Sequence, residues 1–564
     1  MIEKITEKLD DMLKSNYPPW VRRHIDIPKL SLYDTFSQSV NKYKNNTAVS
    51  FMGLKISYSM LKEEVDAVSF RLSELGIKKG DRIAIMLPNI PQYIIFFFAI
   101  AKLGAIIVQV NPLYTEKEIK DELFDSGALS IVVMDEFINK IIKFYPIHLH
   151  NIFVVRVKDY LPGAKSVIYS LITMRKRPRI PTADKIYICK RPKKINVSVE
   201  PISMDPENDP VLFQYTGGTT GVPKAAVLTH YNLIANAYQI IEWLPPDYKE
   251  NISYLSSIPF FHVYGMMTAM LTPIIQGSKI ILVPDPRNIK MTIDLMEKEK
   301  PTAFPGIPTL YHSITEFKNI ENRNIRDVRV CISGAAPLPV ELQKKFENLT
   351  GARLVEGYGL SECSPVASIT PIYENDSDKY IKPGSVGMPV PNTYVKIVSI
   401  DDEATEMTVG SPGELLIKGP QVMKGYWNRP NENQNILNNG WLHTGDIAKM
   451  DDNGYVYILD RKKDMIIAGG YNIYPREVEE VLYQISGISE CAVIGVKDEH
   501  RGETVKAIIV RNDNTLSKED VINFCRNKLA VYKIPKIIEF RNDLPKTLIG
   551  KVDKKALGGE NENQ

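Results

Sequence analysis

At 564 residues the chain is too long for one core, and 44% hydrophobic with 24% charged residues is an ordinary globular composition. A net charge of only +3 argues against a dedicated nucleic-acid binder. The five cysteines (Cys189, Cys331, Cys363, Cys491, Cys525) are odd in number, scattered and without a CxxC pair. That argues against a disulfide framework and a zinc site, and for a reducing, cytoplasmic compartment.

Residues 2–14 carry Ile2, Ile5, Leu9, Met12 and Leu13 at helical spacing, interrupted by charges that rule out a signal peptide. A helix docked on the protein's own body is expected. A membrane-surface helix is the alternative, and its mixed-sign polar face suits that poorly. The longest apolar run, 93–110, contains Lys102, Gly104 and Gln109, so it reads as a helix, a turn and a strand over 105–110 rather than a membrane span.

From about 47 to 330, β-branched runs (82–86, 106–110, 130–134, 152–157, 279–283) alternate with helical patterns such as 58–75 and 116–126. This alternation predicts an α/β fold in which two parallel-type sheets carry helices on their faces. Within it, 160–179 sets an apolar patch (Val167, Ile168, Tyr169, Leu171, Ile172, Met174) beside Arg175, Lys176, Arg177 and Arg179. A solvated surface loop is expected there, with peripheral contact at the inner face of a membrane as the alternative. After about 384, closely spaced strands (394–400, 413–418, 454–459) predict a small β-rich subdomain. The charged stretch 460–464 reads as an exposed linker. A compact α+β unit follows, with helix 475–484, strands 490–496 and 504–511, helix 518–529 and strand 536–540, and then a polar tail.

Several motifs carry chemistry. Residues 215–224 pack Thr216, Gly217, Gly218, Thr219, Thr220, Gly221 and Lys224 into one loop after an apolar run. Such a loop can turn N–H groups, hydroxyls and a cation onto a polyphosphate, though a solvated turn is the bland alternative. It is not a Walker A loop, since Val222 and Pro223 precede the lysine and no Ser or Thr follows it. Downstream come PFFHVYG at 259–265, a small-residue turn Gly334, Ala335 and Ala336, the segment EGYGLSE at 356–362, WLHTGD ending on Asp446, and a late lysine in PKTLIGK at Lys551.

In this order, these motifs resemble the adenylate-forming superfamily of acyl-CoA synthetases, adenylation domains and firefly-type luciferases. Within it, the chain is most similar to bacterial long-chain fatty acid–CoA ligases, through 109–115 (QVNPLYT), 259–265, 356–362 and the 460–467 linker. The resemblance covers nearly the whole chain. It implies an N-terminal domain over 1–459, a hinge linker over 460–466 and a mobile C-terminal domain over 467–564.

It also implies ATP, Mg²⁺ and coenzyme A as cofactors, with a long-chain fatty acid as substrate. ATP's phosphates would lie under Thr216–Lys224, with Thr216 and Glu362 on Mg²⁺ and both counted with the catalytic set. Adenine would sit between Gly334–Ala336 and Tyr358, with Glu356, Gly357, Gly359 and Ser361 carried over as nucleotide-binding. Asp446 would hold the ribose, assisted by Arg461. Lys551 would be the catalytic lysine of the first half-reaction, and His262 would either pack or gate the acyl path. Lys463 would be the hinge, and Gly469 and Gly470 would flank the pantetheine entrance. Alternatives are an aryl or medium-chain acid–CoA ligase, a fatty acyl-AMP ligase, and a non-catalytic lipid-binding scaffold. Monomer and homodimer both stay open.

Overall fold

A computed structural model describes residues 10–173, 178–192, 199, 202–216, 223–372, 380, 382–498, 500–512, 515–547 and 552–559. Two large sheets form the first body. In a seven-stranded sheet the spatial order is Ile186–Cys189, Asn151–Val155, Ser130–Met134, Arg82–Met86, Ile106–Gln109, Pro210–Thr216 and Lys224–Thr229. All its pairings are parallel except the last, a hairpin of Pro210–Thr216 with Lys224–Thr229. The nine-stranded sheet is parallel from Thr47–Phe51 through Arg353–Gly359 and antiparallel at both edges. Continuous Val/Ile runs suit strands that are buried on both faces, and Ser130–Met134 is buried at every position.

Helices cover these faces for readable reasons. Glu116–Ser126 starts in a capping box, where the Glu118 N–H donates to Thr115 Oγ1 and the Thr115 N–H donates to Glu118 Oε2 at 2.7 Å. Pro91–Lys102 buries every residue except Lys102, as expected of a helix that is apolar all round. Its terminal turn passes through Gly104, and the strand Ile106–Gln109 follows.

The β-rich subdomain is antiparallel throughout, with Tyr394–Val398, Gly413–Lys418, Trp441–Met450 and Leu437–Asn438 in order and Val456–Arg461 also pairing with Trp441–Met450. The C-terminal unit has its own core, including Ile466, Val478, Val493, Ile509 and Val521. It contains the expected helices and strands, and also a hairpin, Ile466–Ala468 with Tyr471–Ile473, that the sequence reading lacked.

Two expectations need adjustment. The 160–179 segment is not a loop: Val157–Tyr160 is a 3-10 turn and Gly163–Thr173 is a helix, while 174–177 lie outside the described residues. At the N-terminus the helix runs through residues 10–16, and Leu13 is fully buried in the main core. Arg23 Nε meets Asp10 Oδ1 at 2.9 Å, so this part docks on the protein's own body. No helix among the described residues is long and apolar enough to cross a membrane.

Candidate active site

A cleft of about 1120 Å³ lies between the two sheets, the β-rich subdomain and the C-terminal unit. It opens at the carboxyl ends of several strands, where parallel sheets place ligands because side chains of successive loops converge there. Pro210–Thr216 delivers Tyr215 and Thr216, Val330–Ser333 leads into Gly334 and Ala335, and Arg353–Gly359 ends on Gly357, Tyr358 and Gly359.

The Gly/Thr loop joins two antiparallel strands, with Thr216 paired opposite Lys224. A strand rather than a helix follows it, so no helix N-terminus adds its dipole, unlike a P-loop. Gly217, Gly218, Thr219, Thr220, Gly221 and Val222 lie outside the described residues. Lys224 is nearly buried, ion-paired with Glu432, and lies 5.7 Å from the centre of the Tyr426 ring. Glu362 is buried and accepts a hydrogen bond from Tyr426 Oη at 2.5 Å, and burial raises its carboxyl above the usual range. Thr216, Lys224, Tyr426 and Glu362 all line the cleft.

At one end of the cleft, Tyr358 Oη donates to Asp446 Oδ2 at 2.6 Å and Arg461 Nε meets Asp446 Oδ1 at 3.2 Å. Both oxygens of Asp446 are therefore engaged, and Asp446 lies beneath the cleft wall that Tyr358 and Arg461 form. Ala335 holds φ +66°, a costly setting for a residue with a Cβ and one that concentrates at functional sites. Gly359 is required by packing, since a Cβ there would lie 2.0 Å from the Pro365 carbonyl oxygen. Gly334 is required by packing as well, since a Cβ there would point at the Tyr264 ring, 2.9 Å from Cζ.

The other end is apolar. Tyr264, Thr268, Ile240, Ile332, Val366 and Ile369 line it. Tyr264 Oη donates to Ile332 O at 2.8 Å and lies 3.1 Å from Gly306 O. His262 caps the short helix Val263–Met266, its Nδ1 accepting the Tyr264 N–H at 3.2 Å, and desolvation lowers its pKa to about 4. A π-helical turn, Met267–Leu271, follows directly and carries Thr268 into the cleft.

The remaining sequence candidates divide. Ser361 lines the cleft, whereas the half-buried Ala336 does not. Glu356 faces the C-terminal unit, 3.5 Å from Arg476 Nη2, and burial pushes its carboxyl up to about 7 against the pull of that arginine. Lys463 lies off the cleft, and its neighbour Lys462 pairs with Glu414 at 3.0 Å. Gly469 and Gly470 form the exposed tip of the extra hairpin with φ +61° and +82°, away from the cleft. Lys551 lies outside the described residues. Lys546 and Val552 pair antiparallel, and the next residue after each, Thr547 and Asp553, lines the cleft.

Residues 36–427 match the AMP-binding enzyme family and 477–551 match its C-terminal domain. The chain belongs to the AMP-binding enzyme family. Among its relatives is a long-chain-fatty-acid–CoA ligase of Bacillus subtilis, 42% identical over 97% of this chain and 98% of that protein. An Escherichia coli O6:H1 protein of the same name is 37% identical over 97% of each. ATP-bound MatB from Rhodopseudomonas palustris has 26% identity and a TM-score of 0.80, covering 95% of this chain and 99% of that one. Membership accounts for the mixed α/β architecture with a large N-terminal and a small C-terminal domain.

Tyr426, Glu432, Arg476 and Glu414 were missed in the sequence. Tyr426 had a faint signal as an aromatic after Gly425, and the Ala226–Tyr426 bridge seats it beside the strand Lys224–Thr229. Glu432 lies in a polar run with nothing local to tie it to Lys224.

Proposed function

We propose that the chain is an AMP-forming long-chain-fatty-acid–CoA ligase. The carrying observation is the cleft itself. One volume brings Thr216 and Lys224, the Tyr358–Asp446–Arg461 network, an apolar end at Tyr264, and Thr547 and Asp553 of the C-terminal unit around common space. Kinship over nearly the full length with ligases of that name supports the substrate class.

In the first half-reaction a fatty carboxylate oxygen attacks the α-phosphorus of ATP. The bond from that phosphorus to the bridging oxygen breaks, and pyrophosphate leaves. In the second, the coenzyme A thiol loses its proton, its sulfur attacks the acyl carbonyl carbon, and AMP departs. The chain's own groups position charge for these steps. Lys224 serves the β/γ-phosphates, and we assign Lys551 to the carboxylate and α-phosphate, where a cation gains most as charge shifts in the transition state. Tyr358 presents its ring to the base, and Asp446 becomes the ribose acceptor once Tyr358 or Arg461 yields an oxygen. His262, neutral because it is desolvated, contributes shape and, with Nδ1 accepting the Tyr264 N–H, an Nε2–H donor rather than charge.

Thr216 and Glu362 each offer oxygen to the cleft, which fits a hard divalent cation. Mg²⁺ bound there would neutralise phosphate charge. The domain division at 460–466, with Lys463 as hinge and Gly469–Gly470 at the thiol path, completes the proposal. The five unpaired thiols suit a reducing cytoplasmic compartment.

The test is a half-reaction assay on Lys551→Ala with hexadecanoate. Carboxylate-dependent pyrophosphate exchange should fall by about a thousandfold, with thioester formation from supplied hexadecanoyl-AMP largely kept. Equal loss of both half-reactions would sink the assignment of Lys551. Absence of acid-dependent AMP release by the wild type would sink the ligase.

A further inference from the structure

The lysine assigned above to the phosphates is ion-paired with a carboxylate of this chain, that of Glu432, and both side chains line the cleft. The pair joins two segments that the backbone fixes to each other. Residues 424–427 run alongside the strand Lys224–Thr229. The Lys424 N–H donates to Val227 O at 3.0 Å, the Val227 N–H to Gly425 O at 2.9 Å and the Trp427 N–H to Ala225 O at 2.9 Å. Asn433 then folds the chain back, its Oδ1 accepting the Tyr426 N–H at 2.6 Å and its Nδ2 donating to Tyr426 O at 2.9 Å. That turn carries Glu432 round to Lys224. With both backbones tied down, the pair parts by side-chain rotation alone, a motion of picoseconds to nanoseconds.

The surroundings make Glu432 the member that can be displaced. Its Oε1 lies 3.9 Å from Arg429 Nε. Arg429 is itself anchored, with Nη2 donating to Asp125 Oδ1 at 2.7 Å while Asp125 Oδ2 accepts from Tyr215 Oη at 2.8 Å. A carboxylate that gives up Lys224 therefore keeps a cation beside it and is not stranded. The Glu432 side chain is 37% exposed and that of Lys224 only 13%, so water solvates the freed carboxylate better than the freed ammonium. The lysine needs an anion, and the glutamate can release one. A phosphate brought to Lys224 repels the carboxylate already there, so the two anions compete for one cation.

We propose that Glu432 is an exchangeable counter-ion for Lys224, yielding the lysine to the phosphates of ATP and taking it back as pyrophosphate leaves. The exchange makes and breaks no covalent bond. It rests on the assignment of Lys224 to the β/γ-phosphates, and Glu432 is then a positioning residue that acts through that lysine. Phosphate affinity falls in proportion to the fraction of time the lysine is held by its own carboxylate. In return, the carboxylate replaces pyrophosphate at the lysine and favours its departure.

The test is equilibrium titration of the full chain with pyrophosphate and with ATP, both with Mg²⁺, which requires no turnover. E432Q keeps the side-chain shape and removes the charge, and should bind both ligands at least about fivefold more tightly. K224M should bind both more weakly. Adding E432Q to K224M should then change affinity by less than about twofold, because the glutamate acts through the lysine. In acid-dependent AMP release, E432Q should lower the pyrophosphate inhibition constant and leave the KM for hexadecanoate unchanged. E432Q binding as wild type or more weakly overturns the exchange. An equal gain with and without Lys224 also overturns it, since plain repulsion between Glu432 and phosphate needs no lysine. Wild type that binds neither ligand, or K224M that binds as wild type, removes the phosphate role of Lys224 and the exchange with it. Titrations that follow the exchange, in a wild type that releases no AMP with any fatty acid, would sink the ligase reading alone.

Discussion

The two ends of the cleft are held together in opposite ways. At the nucleotide end polar partners hold the charged groups named above: Lys224 pairs with Glu432, Asp446 with Arg461 and the Tyr358 hydroxyl, and Glu362 accepts from the Tyr426 hydroxyl. At the acyl end the control is steric, with Tyr264 pinned by carbonyls of Gly306 and Ile332 and pressed against Gly334. Partial burial explains the first arrangement, because removing one member of such a pair strands the other without its partner. Close packing explains the second, because a dense wall yields little to an added methyl group.

Glu362→Gln offers the largest break in the comparison. The amide oxygen still accepts from Tyr426, so the fold should stand. Loss of the carboxylate should cut pyrophosphate exchange about a hundredfold and move the Mg²⁺ titration to higher concentration. An unchanged Mg²⁺ dependence would remove Glu362 from the metal assignment.

Gly334→Val tests which end owns the glycine. Its new side chain meets the Tyr264 ring at a Cβ distance of 2.9 Å, so the KM for fatty acid should rise about tenfold with little change for ATP. A parallel rise for ATP would return the slot to the purine.

Acid titration gives the smallest effect. Burial lowers both His262, in the cleft, and His230, in the core, to about 4. A histidine depressed in the folded state stabilises fully above its unfolded value of about 6.5, and that contribution drains as pH falls toward the folded value. For His230, buried and accepting the Leu32 N–H at 3.1 Å, this is on the order of 3 kcal/mol. Denaturant titrations should show stability falling through this window, and less steeply in His230→Asn. For His262→Asn the acid KM should change by one factor at every pH between about 6 and 8, because the imidazole is neutral throughout. A histidine-shaped step in that ratio would contradict the neutral ring.

Much of the architecture was legible locally. Strands over 82–86, 130–134 and 413–418 and the helix over 116–126 agree with the structure residue for residue, because β-branched runs, capping residues and turn glycines act on neighbours. The 160–179 segment was misread because its apolar and basic residues resemble a solvated stretch until Ser166 and Tyr169 are seen hydrogen-bonded to Lys158 and Glu136. The extra hairpin around Gly469 and Gly470 was missed since three-residue strands leave no periodicity to read.

The sequence by itself determined the order of elements, the chemistry in each motif and the family to which those motifs point. Those depend on residue type and spacing, which the chain carries openly. Only tertiary structure decided that Tyr426 rather than solvent binds Glu362, that Glu432 holds Lys224, that Asp446 lies beneath Tyr358 and Arg461, and that Arg476 crosses to Glu356. Each of these pairs joins distant segments. The packing of sheets and subdomains sets which groups meet, and no local pattern encodes that choice.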